Sequence, residues 1–196
     1  DGPRRGRAEE DAPLVCATWG GGPTGIWPPS YDPTRGITYN TRTSGCTYQT
    51  ILRITEEEFD PLKRERLGGA TRQVQVNTMA NLIAIDVNSG AVVNTYTRDL
   101  GIPGNRPAEV GALATGGGIV FSGFDDGTFA AWDSDTLSVL WEFNTGTSMK
   151  GDPISYSVGG RQYVAIIAGG DNPGRGTGAG VGTLIMPTAV LLVFAL

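Results

Sequence analysis

The stretch from Gly116 to Gly170 constrains the fold of this chain more than any other. It reads GGGIVFSGFDDGTFAAWDSDTLSVLWEFNTGTSMKGDPISYSVGGRQYVAIIAGG. Four short runs stand out: residues 119–122 (IVFS), 128–132 (TFAAW), 139–143 (VLWEF) and 162–167 (QYVAII). Each is apolar or alternating, rich in β-branched and aromatic residues, and bounded by Gly, Asp, Asn or Ser, so each predicts a strand. The first two runs meet at Asp125-Asp126-Gly127. Gly127 takes a positive φ at little cost, which a tight hairpin needs. The four runs together predict one small antiparallel sheet, of the kind that repeats radially as a blade of a β-propeller.

The composition agrees with an all-β chain. Of 196 residues 30 are glycine and only 18% are charged, which suits a turn-rich protein better than a helical one. The net charge of −5 argues against nucleic-acid binding, which needs clustered Lys and Arg. The chain has no histidine, so it cannot itself supply a Ser–His or Cys–His pair or a His-ligated zinc. Its two cysteines, Cys16 and Cys46, cannot form a four-thiolate zinc site. They read either as a disulfide, which points to an oxidising compartment, or as two buried thiols.

Residues 1–13 mix charge with Gly and Pro without a period and read as a mobile arm, with residues 14–196 as partial propeller. No signal peptide is visible in that arm, so either a leader has been removed or the chain begins within something larger. Residues 37–40 form a strand after the turn 32–36, where Pro33 presets φ and Gly36 permits a left-handed exit. The charged run 55–66 is an exposed excursion, with Thr55 placed to cap a short helical turn that Pro61 interrupts. Strands resume at 73–77, 82–86 and 92–97. The C-terminal segment is too short to span a bilayer and ends in a buried strand, 190–195.

An internal repeat links the two halves. Ala84-Ile85-Asp86, followed by Gly90, matches Ala131-Trp132-Asp133, followed by Leu137, 47 residues on. A period of that length carrying three or four strands means stacked blades. The same turn pattern at Asp32…Gly36 brings the count to parts of about three blades. Three blades do not close a ring, so apolar flanks are expected to meet further polypeptide.

Here the sequence resembles a known family. The run 131–141, with Asp133 and Trp141 at fixed positions, is similar to the tryptophan-docking repeat of the quinoprotein dehydrogenases. These are eight-bladed propellers that use pyrroloquinoline quinone (PQQ) to oxidise alcohols and sugars. Residues 111–123 (GALATGGGIVFSG), 160–170 (GRQYVAIIAGG) and the ending 192–196 (LVFAL) resemble late blades of that family, and Val15-Cys16 with 27–39 resembles the start of its last third. The resemblance covers most of residues 14–196. It implies that the chain corresponds to the last third of such an enzyme, that Cys16 and Cys46 form a disulfide, and that the protein is periplasmic. In the docking repeat a broad indole, here Trp141, lies between blades and buries much area, with its N–H bonded to a carbonyl of the adjacent blade.

In the resembled enzymes PQQ lies on the propeller axis, a calcium or lanthanide ion polarises it, and an Asp serves as base. The ion's ligands and the base have no counterpart in this chain, so no catalytic or metal residues are assigned here. Asp125, Asp126 and Asp133 read as turn and blade residues. The resemblance assigns part of the cofactor wall to Trp27, Gly169, Gly170 and Asn172, with Asn172 and the glycine amides suited to a PQQ carboxylate. Two positions depart from the family pattern: Ile26 stands where an Asn often precedes the Trp, and Glu109 stands where a Trp is common.

Three functions follow. The first is a portion of a PQQ-dependent dehydrogenase, completed by the remaining blades and passing electrons to a cytochrome c. The second is a non-catalytic, propeller-derived structural or interaction subunit. The third is a WD-repeat-type interaction propeller, because residues 122–133 (SGFDDGTFAAWD) also resemble that repeat. The lack of any histidine, and the fit of Trp141 to the docking repeat, stand against the third.

Overall fold

The computed structural model describes residues 14–15, 27–52, 70–99, 110–147, 149, 151–169 and 189–196. The arm 1–13, the charged run 55–66, Cys16, Ile26, Glu109, Gly170 and Asn172 lie outside the described residues.

Twelve strands form among the described residues, paired in three antiparallel sheets. The first sheet has the order β1 (Leu14–Val15), β3 (Ile37–Leu52), β4 (Ala70–Asp86), β5 (Val92–Arg98), with β2 (Ser30–Asp32) also on β3. The second runs β6 (Leu113–Ala114), β7 (Ile119–Gly123), β8 (Thr128–Asp133), β9 (Val139–Asn144). The third runs β10 (Ile154–Val158), β11 (Arg161–Gly169), β12 (Ala189–Ala195).

The side chains set the stacking order of the sheets. Tyr39, Leu82 and Ala84 of the first sheet pack against Val120, Phe124, Trp132 and Leu137 of the second. Phe121, Phe129 and Ala131 of the second pack against Val164, Ile166 and Ala168 of the third. Along β8, Ala130 and Trp132 therefore face one neighbour while Phe129 and Ala131 face the other. A strand covered on both faces cannot alternate with polar residues, which explains the uninterrupted run FAAW. Each large side chain so buried contributes about 1.5–3 kcal/mol.

The expected hairpin is present, with Gly127 at φ 85°. The fourth run departs from expectation. Residues 119–122, 128–132 and 139–143 share one sheet, but 162–167 belong to the next, inside β11. The missing member of the second sheet is the two-residue β6, too short to show a period. The runs 73–77 and 82–86 are parts of one long strand, β4, and residues 37–40 extend into the equally long β3.

The 47-residue repeat holds in three dimensions. Ala84–Ile85 and Ala131–Trp132 sit at the same place in their sheets, each at a register shift. Both lead into the same turn. Asp86 accepts the N–H of Asn88 and Ser89 at 3.0 and 2.8 Å; Asp133 accepts those of Asp135 and Thr136 at 3.0 and 2.9 Å. Asp32 does likewise with Thr34 and Arg35, at 2.8 and 3.2 Å. Each turn closes with an N–H bond back to the Asp carbonyl from a left-handed residue: Gly36, Gly90 and Leu137, with φ of 67°, 71° and 54°. Leucine there carries steric strain. Its side chain is buried in the core between the first two sheets, which offsets that cost.

The outward face of the third sheet is apolar and exposed. The register aligns Ile154 with Val193 across Ala165, and Ile167 with Leu191. Ile154, Ile167 and Leu191 are 57%, 47% and 62% exposed.

Candidate functional site

Three short segments lead into the first strands of the three sheets: residues 27–29 before β2, 110–112 before β6, and 151–153 before β10. They meet at Gly111. Every backbone polar group between the Val110 carbonyl and the Ala112 amide has a partner. Thr41 Oγ1 donates to the Val110 carbonyl at 2.6 Å, and Ser122 Oγ donates to the Gly111 carbonyl at 3.1 Å. The Gly111 N–H donates to Asp152 Oδ1 at 2.6 Å, and the Ala112 N–H donates to the Pro28 carbonyl at 3.3 Å. Two successive amides of the second sheet are thus held by the third and the first. The approach is close enough to require glycine: a Cβ on Gly111 would lie 2.6 Å from Asp152 Oδ1 and 2.7 Å from the Pro28 oxygen.

Of the wall positions read from the sequence, Trp27 and Gly169 are among the described residues. Trp27 is half-buried beside Pro28, at the approach to β2. Gly169 ends β11, buried, with φ 93° and opposite Ala189. The Met149–Ala168 bridge sets that end of β11 beside the segment from which Asp152 reaches Gly111. Trp27 thus leads into a strand of the first sheet, and Gly169 ends a strand of the third. Gly170 and Asn172 are outside the described residues. Sequence reading drew attention to the segment at Glu109 but missed Asp152, because an Asp before Pro looks like an ordinary turn residue.

Ion pairs join the sheets away from this junction. Arg35 donates to Asp32 at 3.0 Å and to Asp135 at 2.6 Å, linking a turn of the first sheet to one of the second. Arg98 bridges Asp126 at 3.0 Å and Glu142 at 2.7 Å. Burial pushes the Asp32 carboxyl up, but hydrogen bonds from Arg35 and Thr34 outweigh it and hold it below the usual carboxylate range. Turn bonds from Ser89 and Thr136 depress Asp86 and Asp133. Asp126 and Asp133 are thus engaged structurally, as their sequence context indicated. Among the described residues, no cluster of three or more His, Cys, Asp or Glu is placed to hold a metal ion.

Trp141 is 38% exposed. Its ring packs edge-on against Phe194 of the neighbouring sheet at 5.1 Å and stacks on Phe143 at 6.1 Å. The indole wholly buried between sheets is Trp132, against Tyr96 and Phe124, and its Nε1 has no hydrogen-bond partner.

Consecutive small antiparallel sheets of three to five strands, stacked face to face through apolar side chains, are the blades of a β-propeller. Comparison with known proteins narrows the class. Residues 71–164 match the family described as the PQQ glucose/ethanol/alcohol dehydrogenase β-propeller domain. The 1-butanol dehydrogenase (quinone) of Thauera butanivorans is 43% identical over 79 residues, 40% of this chain and 13% of that protein. Subunit 1 of the methanol dehydrogenase [cytochrome c] of Paracoccus denitrificans is 45% identical over 82 residues, 41% of this chain and 12% of that protein. A quinohemoprotein alcohol dehydrogenase structure from Pseudomonas putida HK5 superposes with a TM-score of 0.61 at 26% identity, covering 75% of this chain and 22% of that one. Residues 71–164 are thus similar to blades of the PQQ dehydrogenase propeller family. The chain spans less than a quarter of the length of these relatives.

Proposed function

We propose that this chain supplies blades and part of the cofactor wall of a PQQ-dependent dehydrogenase that oxidises alcohols or sugars. One observation carries the reading: the span that matches the PQQ family runs from β4 to β11, through all three sheets and the Gly111 junction. PQQ, when bound, supplies the acceptor for the two electrons of substrate oxidation. The chain's own part is to bind and orient. Trp27 offers an aromatic surface to a flat ring. Gly169, lacking a side chain, lets the following loop approach closely, and Gly170 and Asn172 have the donors to hold a carboxylate. The amides of Gly111 and Ala112 are already engaged, so that segment acts as a fixed wall rather than an anion nest. The calcium or lanthanide ion and the base belong to polypeptide outside this chain.

The same reading assigns the exposed face of the third sheet to a further blade, since the inner strand β8 of the second sheet is covered on both faces by its neighbours. It places the protein in the periplasm with a cytochrome c as electron acceptor. It pairs Cys16 with Cys46. The β1–β3 register sets Leu14 opposite Tyr48 and Val15 opposite Thr47, the residues that adjoin the two cysteines in sequence, and no described cysteine is free. Trp141, packed on Phe194, takes the docking role once the ring is complete.

Ile26 and Glu109 favour a second reading, a propeller piece that keeps the blades but does not bind PQQ and serves as a structural or interaction subunit. Neither an aliphatic side chain nor a second carboxylate assists a tricarboxylate ligand. The assembled protein, reconstituted with PQQ and calcium or a lanthanide, decides between them. Bound PQQ absorbance with dye-coupled alcohol oxidation is expected. Absence of both leaves the structural subunit.

A further inference from the structure

The junction at Gly111 supports one step more. We infer that Asp152 is a positioning residue for the cofactor wall: its carboxylate, from the third sheet, fixes the segment 110–112 of the second against Pro28 of the first. This rests on the PQQ-binding reading above, but the mechanical half of it does not.

The argument is one of hydrogen-bond accounting. A buried or half-buried backbone amide left unpaired is costly, so its partner dictates where the segment sits. Val110 is fully buried and its carbonyl is held by Thr41. The Gly111 carbonyl is held by Ser122 of its own sheet. Those bonds anchor the segment within the first two sheets. Asp152 Oδ1 is the acceptor for the Gly111 amide, at 2.6 Å and across 41 residues of sequence, and ties in the third sheet. A carboxylate acceptor makes this the strongest kind of bond to an amide. Its partner in the opposite direction, Ala112 to Pro28, is long at 3.3 Å. The short bond thus draws the segment toward the third sheet, the long one holds it within reach of Pro28, beside Trp27, and the absent Cβ of Gly111 leaves room for both contacts. A wall that moves by an ångström loses much of the affinity that preorganisation gives.

The test uses the assembled protein with Asp152→Ala and Asp152→Asn. Asparagine keeps an acceptor oxygen at the same place and removes the charge. Two readouts are taken: amide hydrogen exchange over residues 110–112 in the apo protein, and equilibrium PQQ binding by absorbance. Asp152→Ala is expected to speed exchange at Gly111 by tenfold or more and to weaken PQQ binding roughly tenfold, with Asp152→Asn recovering most of both. Unchanged exchange in Asp152→Ala overturns the positioning role. Faster exchange with unaltered PQQ affinity reduces Asp152 to a blade-to-blade fastener and also overturns it. If the unsubstituted protein binds no PQQ, the functional reading fails instead, and the exchange result alone decides whether the bond holds the segment.

Discussion

Replacing Gly111 by alanine puts a methyl group where three sheets converge. The new Cβ lies 2.6 Å from Asp152 Oδ1, 2.7 Å from the Pro28 carbonyl oxygen and 3.0 Å from Pro28 Cγ. Asp152 can rotate away, but only by giving up its bond to the Gly111 amide. Pro28 cannot, because its oxygen is backbone and its ring is rigid. The perturbation therefore removes one charge-assisted bond, worth about 1.5–3 kcal/mol, and stretches the already long bond from Ala112. Gly111 has no positive φ, so alanine is conformationally acceptable and recovers about 0.4–1 kcal/mol from the unfolded chain. The expected net loss is roughly 2 kcal/mol. Gly116→Ala is the matched control: nothing lies within 4 Å of its Cβ, and it is expected to be neutral or slightly stabilising. Denaturant unfolding of both variants measures the difference. In an Asp152→Ala background the Gly111→Ala cost should shrink, since the two share one contact. Equal stability of Gly111→Ala and Gly116→Ala, or strict additivity with Asp152→Ala, refutes the close-junction argument.

Leu137 offers an inverted ranking: Leu137→Ala loses core packing and keeps the strain, whereas Leu137→Gly loses the same packing but relieves it, so glycine should be the more stable variant by about 1 kcal/mol in unfolding experiments. Asp32, Asp86 and Asp133 all titrate below their unfolded values, so the folded state binds fewer protons in that window. Their contribution is complete above about pH 4 and is lost as pH falls through the folded pKa values, which a melting series from pH 6 to pH 2 should register. Substituting all three with Asn should flatten that acid limb. Arg98→Lys is expected to behave like Arg98→Ala rather than like the unsubstituted protein, each costing roughly 1 kcal/mol by denaturation, because an ammonium cannot hold Asp126, Glu142 and Thr128 at once.

Three of the four strands of the second blade, the hairpin at Gly127 and the three Asp-initiated turns were legible because each is decided within a few residues. β-branched and aromatic runs select extended backbone, and an Asp whose carboxylate accepts the next amides selects the turn, closed four positions on by Gly36, Gly90 or Leu137. The sequence repeat even carried the register shift that recurs at Ala84 and Ala131. What the residues by themselves did not assign was partnership. The run 162–167 has the same local character as its neighbours, yet it pairs with β12 and β10 because those edges are the ones left unfilled. Trp141 and Trp132 are equally aromatic, but only the strand they occupy makes one a wholly buried inter-sheet side chain and the other a partly exposed one. The Gly111 junction is the extreme case. Its bonds to Thr41, Asp152 and Pro28 span tens of residues and depend on three sheets stacking in one order, a condition no local pattern encodes. Local steric and capping preferences therefore determined which segments extend and where they turn, and the packing of apolar faces alone decided which ends met and formed the candidate wall.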